Sequence, residues 1–395
     1  MNTSIGGLSR PFGEGGCHCW SLLEVATGAF KSCRNRANVE VGYQANRFFG
    51  DSARLTRHPR ERTGTSARSN SMNPHRAASP TPENQGPPLI LLAGATGTGK
   101  TALSIRLARE LRTEIVNVDS VQVYRYLDIG SAKPSAEEQA AVVHHMIDVV
   151  DPDFPMDAGG YSRMARPVAD SLRADGKAPL VVGGTGLYMK ALTLGVCPGA
   201  DGDPEIRDRL IVELEEHGLA ALYEQLTQVD PERARAIHPN DRQRILRALE
   251  VYRSTGETLS NWQAGHGFRQ RLYPAIKVFL HRDREDLYRR IDRRVDMMME
   301  MGFREEVERI LAMGYPPDLK SLQTLGYRQL IAHLNGEYGL DEAIRLIRRD
   351  TRRYAKRQLT WFRADAEFTW IHADDDDTVL ATIKDRLRGF PPGTS

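Results

Sequence analysis

The 395-residue sequence is poor in cysteine and contains no long apolar run. Cys17, Cys19 and Cys33 fall within its first 33 residues, and Cys197 is the one cysteine in the remainder. This distribution excludes a disulfide framework and favours a reducing compartment, so we expect the protein in the cytoplasm. No stretch reaches the about 18 consecutive apolar residues of a membrane-spanning helix, so we expect no association with a membrane.

The chain also lacks a strong charge of either sign, with a formal net charge of +2. Residues 1–85 hold 11 basic and 6 acidic residues, so the remaining chain is slightly acidic, at −3. A protein without a general basic field does not attract nucleic acid over its whole surface. Any surface that binds nucleic acid must therefore be local.

Residues 1–85 show no sustained apolar periodicity and end in a run rich in Ser, Pro and Asn. We expect this extension to be disordered, because it offers too little apolar surface to bury. Its Arg and Ser content is compatible with an organellar transit peptide. We favour a start of translation at Met72, because the extension contains Cys, Gly and several acids that an amphipathic presequence lacks.

From residue 86, short apolar runs alternate with amphipathic stretches. We expect buried strands at 89–93, 114–118, 146–150 and 179–184, and a helix at 101–112. This alternation predicts an α/β fold with a parallel sheet and helices on both faces.

The alternation stops near residue 200 and resumes at a strand-like run, 276–281. We interpret residues 201–265 as an all-helical insertion into the α/β core, which would comprise 86–200 and 266–372. The core would end with helices over 284–313 and 341–363 and a last strand at 369–371. Residues 373–395, which contain four consecutive aspartates, are expected to form a solvated tail.

The sequence GATGTGKT (94–101) follows the first apolar run and opens a helix. Glycines let backbone N–H groups surround phosphate oxygens, and the helix N-terminus adds positive charge. Lys100 would pair with the terminal phosphates, and Thr101 would hold Mg²⁺. The loop therefore predicts binding of at least a diphosphate, in a P-loop NTPase-like core, without identifying the rest of the ligand.

Two further segments follow expected strands and should meet at the same sheet edge. Asp119, which opens DSVQVY, is placed to act as a base or to orient magnesium, although it could equally cap a helix. Thr185 in GGTGLY (183–188) offers a hydroxyl, although a tight turn into a helix explains the same residues.

Two helical segments carry arginines. Residues 341–363 hold 8 basic and 3 acidic residues, and QRILRALEV (243–251) is amphipathic. Such charges can neutralise RNA phosphates or simply form a solvated helix face. For QRILRALEV alone the second interpretation is preferable, with its apolar residues in a core.

Seven motifs, in this order, resemble the tRNA dimethylallyltransferase family over residues 86–372. They are GATGTGKT (94–101), DSVQVY…DIGSAKP (119–134), HHMID (144–148), GGTGLY (183–188), QRILRALEV (243–251), GYRQ (326–329) and KRQLTWFR (356–363). One departure is Ala-Thr-Gly-Thr at 95–98, where the family more often has Pro-Thr-Ala-Ser. The zinc finger of eukaryotic members has no counterpart here, which favours the bacterial type.

The resemblance implies transfer of a dimethylallyl group from dimethylallyl diphosphate, with release of diphosphate. The acceptor would be the N6 amine of the adenosine 3′ to the anticodon, in tRNAs that read codons beginning with U. It also implies Mg²⁺ as cofactor, the anticodon stem-loop of tRNA as partner, and action as a monomer.

Roles follow for residues in the matching motifs, and for Arg207 and Arg294 outside them. Asp119 would be the catalytic base, supported by Thr96, Lys100, Thr101 and Thr185. The diphosphate would contact the loop and one helix arginine, namely Gly94, Ala95, Thr96, Gly97, Thr98, Gly99, Lys100, Thr101 and Arg294. Arg294 could equally be a solvated helix residue. The metal would bind Thr101. The expected tRNA contacts are Asp119, Ser120, Val121, Gln122, Thr185, Arg207, Gln243, Arg244, Ile245, Leu246 and Arg247.

Three other functions remain open. The phosphate-binding loop alone favours a small-molecule kinase, which would not need a helical insertion. An isopentenyltransferase that uses adenylate as acceptor would need neither the insertion nor the basic helix. An RNA-binding protein with a degenerate site would not need Lys100, Thr101 and Asp119 together.

Overall fold

A six-stranded parallel sheet organises the described part of the chain, which comprises residues 86–195, 203–266 and 271–390 of this computed structural model. The expectations for residues 1–85, including a start at Met72, fall outside these residues. The strands are β1 (Leu89–Gly94), β2 (Ile115–Val118), β3 (His144–His145), β4 (Leu180–Gly183), β5 (Ala275–His281) and β6 (Thr369–His372).

The strands lie side by side in the order β3-β2-β4-β1-β5-β6, and all pairs are parallel. The carboxyl ends of β2, β4 and β1 therefore adjoin at one edge. The strand order reverses here, where open α/β sheets bind their ligands. The three loops that follow these strands, which begin at 94, 119 and 183, are neighbours although they are far apart in sequence.

Thirteen helices are described. They are α1 (Lys100–Leu111), α2 (Ala136–Ala141), α3 (Ala158–Ala174), α4 (Gly186–Leu194), α5 (Pro204–Val229), α6 (Pro231–Ala236), α7 (Arg242–Thr255), α8 (Leu259–His266), α9 (Arg284–Glu300), α10 (Phe303–Ala312), α11 (Tyr327–Leu334), α12 (Leu340–Arg363) and α13 (Asp376–Leu387).

Helices cover both faces of the sheet. Alternate residues of β1 point to opposite faces, so Leu91 packs in one core and Leu92 in the other. The core around Leu91 includes side chains of α3, α4 and α10 to α12. The core around Leu92 includes side chains of α1 and α13. The predicted α/β fold, with a parallel sheet between two helical layers, is confirmed.

The expected strand at 146–150 was wrong, because β3 contains only the two histidines that precede it. Met146 and Asp148 have positive φ angles of 64° and 54°, which extended backbone does not allow. Met146 and Val150 are nevertheless buried in the core. The apolar run therefore reflects burial within an irregular loop.

The expected tail at 373–395 was also wrong over most of its length. Helix α13 occupies Asp376–Leu387, and it buries Val379 and Ile383 against β5 and α1. All four aspartates have structural partners, since Asp374 pairs with Arg282, Asp375 caps α13, and Asp376 and Asp377 both pair with Arg106. Acidic residues stabilise a helix N-terminus, which explains the acidic run.

Helices α5 to α8 stand between α4 and β5, in the range expected to form a helical insertion. They enclose their own apolar cluster, which includes Leu210 and Leu226 of α5 and Leu249 of α7. Helix α5 is interrupted at Gly218, whose φ of 79° breaks the helix into two parts.

A buried carboxylate fixes the loop that follows the DSVQ segment. Glu306 of α10 accepts hydrogen bonds from the backbone N–H groups of Asp128, Ile129 and Gly130, at 3.1, 2.7 and 3.2 Å. The Tyr327 hydroxyl donates a fourth, at 2.7 Å. A Cβ on Gly130 would lie 2.7 Å from the Tyr327 ring, so only glycine fits. The loop is therefore held against α10 and α11.

Tyr327→Phe tests the importance of this carboxylate. The substitution removes one of four donors from a buried charge, so we expect it to cost about 1–3 kcal/mol of stability in urea unfolding. Tyr338→Phe is the control, because its partly exposed hydroxyl donates to the Gln329 carbonyl oxygen at 3.1 Å. A loss in Tyr327→Phe no larger than in Tyr338→Phe would contradict a special role for Glu306.

Candidate active site

The phosphate-binding loop joins β1 to α1 with a backbone that requires glycine. Gly97 and Gly99 have φ angles of 84° and 97°, in the region that side chains disfavour. The Thr98 hydroxyl donates to the Ala95 carbonyl oxygen at 2.8 Å and is buried, so it braces the loop. Thr98 therefore supports the loop from within.

Lys100 lies at the start of α1 and folds back over the loop. Its Nζ donates to the carbonyl oxygens of Gly94 and Ala95, both at 2.9 Å. Burial, followed by the charge of Arg294, lowers the pKa of Lys100 to about 8, and Asp119 opposes the shift. The ammonium is thus poorly solvated and would be stabilised by an anion.

Asp119 follows β2 and has one oxygen committed to the local turn. Its Oδ1 accepts from the backbone N–H groups of Val121 and Gln122, at 2.8 and 3.3 Å. Within the described residues, its Oδ2 has no hydrogen bond. The carboxylate can therefore shape the turn and still accept a proton or a metal ion through the second oxygen.

Thr185 connects the loop after β4 to the loop after β2. Its Oγ1 accepts from the Ser120 N–H at 3.2 Å. A Cβ on Gly183 would lie 1.9 Å from the Val118 carbonyl oxygen, so glycine allows this close approach. Burial, followed by the charge of Asp119, raises the pKa of the neighbouring Tyr354 to about 12, and Thr185 beside it opposes the shift. Tyr354 is therefore a neutral phenol at physiological pH.

Helix α9 positions Arg294 near Lys100 and Asp119. The phosphate-binding loop rests on this helix, since a Cβ on Gly97 would lie 3.2 Å from Ile291. Burial lowers the pKa of Arg294, whereas Asp119 and Glu138 raise it. Arg294 is thus close enough to Asp119 and Lys100 to act on both electrostatically, and it is not a solvated surface residue.

A cavity of 1280 Å³ unites these groups. Its lining includes residues of the phosphate-binding loop together with Asp119, Arg294 and Tyr354. The rest of the lining contains charged side chains, such as Arg293 and Arg357, and six apolar ones, namely Val121, Ile129, Val295, Met298, Leu325 and Ile347. The volume exceeds the about 300–1,000 Å³ of common ligand pockets, so there is room for more than a diphosphate.

Gln122 has its side-chain amide fully used. Its Oε1 accepts from Asn117 at 3.0 Å, and its Nε2 donates to the carbonyl oxygens of Ser131 and Ala132, at 2.9 and 3.0 Å. The amide therefore holds the loop beyond it.

The insertion residues of the expected tRNA surface lie apart from this cavity. Arg207 donates to Gln243 Oε1 at 2.9 Å, and Arg207 and Arg247 both pair with buried Glu250, at 3.3 and 3.2 Å. No described residue of α5 to α8 lines the cavity. These side chains form their own polar cluster on the insertion.

Two of the residues expected to contact tRNA do not offer their side chains to a partner. Ile245 and Leu246 are almost fully buried in the apolar cluster of the insertion. Arg244 is exposed and pairs with Asp241 at 3.4 Å. The side chains of Ile245 and Leu246 therefore pack within the insertion, because every third or fourth residue of an amphipathic helix faces its core. Their contact with tRNA stays a prediction.

Sequence analysis missed the inner face of α12. Its run of arginines drew attention to charge, but five of them pair with carboxylates, namely Arg345, Arg348, Arg349, Arg352 and Arg353. The same helix directs Tyr354 and Gln358 into the cavity. Their i, i+4 spacing was the available signal, although it does not distinguish cavity from core.

A complete phosphate-binding loop and an aspartate that line the same large cavity are typical of a group-transfer enzyme of the P-loop class. The model of the IPP transferase family matches residues 122–365, and that of the isopentenyl transferase family matches 87–148. The chain therefore belongs to the IPP transferase family. In the described residues, no helix is long and apolar enough to cross a membrane.

Relatives and solved structures agree with this assignment. The chain is 59% identical over 296 residues to the tRNA dimethylallyltransferase of Syntrophobacter fumaroxidans, covering 75% of this chain and 86% of that protein. It is similar in structure to the tRNA isopentenylpyrophosphate transferase of Bacillus halodurans (TM-score 0.57, 36% identity, 76% and 97% of the two chains covered). It is also similar to a eukaryotic dimethylallyltransferase acting on tRNA (TM-score 0.65, 26% identity, 78% and 81% covered).

The lowered pKa of Lys100 predicts how diphosphate binding depends on pH. The ammonium is charged below about pH 8 and neutral above it, so the charged fraction falls about tenfold from pH 7 to pH 9. We expect wild-type affinity for inorganic diphosphate, measured by calorimetry, to fall relative to that of Lys100→Met over this range. The ratio of the two affinities cancels the titration of diphosphate itself. A ratio that does not change with pH would contradict the assignment.

Proposed function

We propose that this protein transfers a dimethylallyl group from dimethylallyl diphosphate to the N6 amine of the adenosine 3′ to the anticodon of tRNA. The observation that carries the proposal is that the phosphate-binding loop and Asp119 line one cavity whose lining also includes a set of apolar side chains. The names of the similar proteins support the same reaction. The acceptor tRNAs would be those that read codons beginning with U.

In this reaction the C1–O bond of the prenyl diphosphate breaks and a C1–N6 bond forms. The electron pair of the broken bond stays on the diphosphate, whose growing charge must be stabilised. Lys100, Arg294 and the N–H groups at the start of α1 supply that stabilisation. Burial strengthens it, because Lys100 and Arg294 are poorly solvated before the anion arrives.

The N6 amine loses a proton as it gains the prenyl group. An aromatic amine is a weak nucleophile, so a carboxylate within hydrogen-bond distance assists it. Asp119 fits this role, because its Oδ2 has no hydrogen bond within the described residues while Oδ1 holds the turn. Thr185 and Ser120 fix the position of that turn. The proton would therefore pass from N6 to Asp119.

The residues present suit Mg²⁺. This ion commonly binds one or two protein oxygens and fills its remaining positions with waters and phosphate oxygens. The Thr101 hydroxyl has no hydrogen bond within the described residues, and both it and Asp119 line the cavity. We propose that Thr101 would hold the ion, with Asp119 as a nearby carboxylate, where the metal would neutralise diphosphate charge.

The tRNA must present an unstacked adenine to an enclosed site. Arg244 of α7 is exposed, and Lys356 and Arg357 are two of the three basic residues of α12 that lack carboxylate partners among the described residues. The side chains of Arg244, Lys356 and Arg357 are suited to contact RNA phosphates. We propose that the anticodon stem-loop lies between these elements, with the protein acting as a monomer in the cytoplasm, where tRNA is found.

Neither a kinase nor an adenylate-specific transferase explains the chain as well. A small-molecule kinase would leave α5 to α8 and the apolar part of the cavity without a role. The similar proteins are named for action on tRNA, which favours tRNA over adenylate as the acceptor.

A labelling assay on the wild-type protein and on Asp119→Asn tests both the proposed acceptor and the role of Asp119 as the base. With labelled dimethylallyl diphosphate, we expect wild-type protein to label tRNA and not AMP. Asp119→Asn should reduce single-turnover transfer about 100- to 10,000-fold, because it removes the proton acceptor. Its tRNA affinity, measured by filter binding, should be nearly unchanged.

Asp385→Asn is the control, because this exposed carboxylate of α13 lies far along the chain from every cavity residue. Label in AMP and not in tRNA would refute the proposed acceptor. A normal transfer rate in Asp119→Asn would remove Asp119 from the role of base.

A further inference from the structure

Gln358 of α12 bonds to the backbones of two different loops of the site. Its Oε1 accepts from the Thr96 N–H at 2.9 Å, and its Nε2 donates to the Gly184 carbonyl oxygen at 3.0 Å. The side chain is almost fully buried. One amide thus joins the phosphate-binding loop to the loop after β4, which are separated by more than eighty residues of chain.

The surroundings of Gln358 are shaped for an amide. A Cβ on Gly184 would lie 2.2 Å from Gln358 Nε2, so this position has no room for a larger residue. The Thr96 N–H is a donor and the Gly184 carbonyl oxygen is an acceptor. Glutamine supplies the complementary acceptor and donor in one side chain. A methionine of similar length would supply neither.

The preceding turn of α12 lies close to the loop that carries Asp119. Tyr354, four residues before Gln358, lies beside both Gln358 and Thr185, which each lower its pKa. Thr185 accepts in turn from the Ser120 N–H, next to Asp119. Helix α12 therefore lies against both the phosphate-binding loop and the threonine that is bonded to the residue beside the base.

We propose that Gln358 is a positioning residue that sets the distance between the diphosphate and Asp119. This inference rests on the proposed function and concerns the same site. The Thr96 N–H is bonded to Gln358 and is therefore not free to bind phosphate. Gln358 thus acts on the reaction through the two loops that it joins. In a displacement at C1, an error of about 1 Å between the reacting groups costs about 100-fold in rate.

Two substitutions separate positioning from simple loss of packing. Gln358→Met removes both bonds. Gln358→Glu keeps an acceptor for the Thr96 N–H, but its carboxylate faces the Gly184 carbonyl oxygen. Once protonated, the glutamic acid donates an O–H to that oxygen and restores the arrangement. Burial beside a carbonyl oxygen raises the pKa of the new carboxyl, so protonation occurs in mildly acidic solution.

Single-turnover transfer to tRNA is measured for each variant and divided by the wild-type rate at the same pH. We expect Gln358→Glu to be about 10- to 100-fold slower near pH 8 and to recover toward wild type near pH 6. Gln358→Met should be slow at every pH. Both should bind tRNA with affinities close to wild type, because neither changes the exposed face of α12.

Gln323→Glu is the matched control. It places the same new carboxylate on an exposed side chain whose Nε2 donates to the Pro317 carbonyl oxygen at 2.9 Å. Its rate relative to wild type should stay near one at both pH values. Normal rates in both Gln358 variants, or a deficit in Gln358→Glu that does not change with pH, would overturn the positioning role.

Hydrogen exchange tests the role without relying on the reaction. In Gln358→Met, amides of 94–101 and 183–188 should exchange faster than in wild type, while those of β5 stay protected. Unchanged exchange in both loops would overturn the inference. Absence of prenyl transfer by the wild-type protein would instead refute the proposed function, so the two failures are distinguishable.

Discussion

Two poorly solvated cations share the site with one carboxylate, and the rest of the architecture serves to hold them there. Burial lowers the pKa of both Lys100 and Arg294. The charge of Arg294 lowers the pKa of Lys100 further, whereas the charge of Asp119 raises the pKa of both cations. Such an arrangement is electrostatically incomplete until an anion binds. It explains why a diphosphate suits the site and why its departure with an extra electron pair is stabilised.

The fold brings these groups together by ordinary means. The parallel sheet places the ends of β1, β2 and β4 side by side, which assembles the three loops. Helix α9 then packs on the phosphate-binding loop through Ile291 and delivers Arg294 three residues later. Helix α12, from the other end of the sequence, bonds to two of the loops through Gln358 and places Tyr354 beside Thr185. Each contact joins segments that are distant in the chain.

Much of the fold could be predicted from the sequence, because buried parallel strands are continuous apolar runs and the intervening helices are amphipathic. The errors arose in segments whose burial does not match the backbone conformation that the sequence pattern indicated. Met146 and Val150 belong to an apolar run like that of a buried strand, but positive φ angles within the run make the segment a loop. Residues 374–377 look solvated, but they cap a helix and pair with cations whose positions only the tertiary structure reveals.

The candidate site was predictable where a local motif carries the chemistry, as with Lys100 and Asp119. It was not predictable where a residue acts through distant partners. Gln358 is an unremarkable member of a basic helix until the fold places it between two loops. Ile245 and Leu246 are a similar case. Their apolar side chains indicated the core of the insertion, where the structure places them, whereas the family motif indicated a contact with RNA.

The central claim is that one cavity holds the diphosphate and the acceptor adenine on either side of the reacting carbon. The most direct measurement is a structure of the protein with an anticodon stem-loop and a non-reactive thiolo analogue of dimethylallyl diphosphate. The account predicts the diphosphate within loop 94–101 and the adenine N6 about 3 Å from Asp119 Oδ2. An adenine bound outside the cavity, or a diphosphate away from that loop, would contradict it.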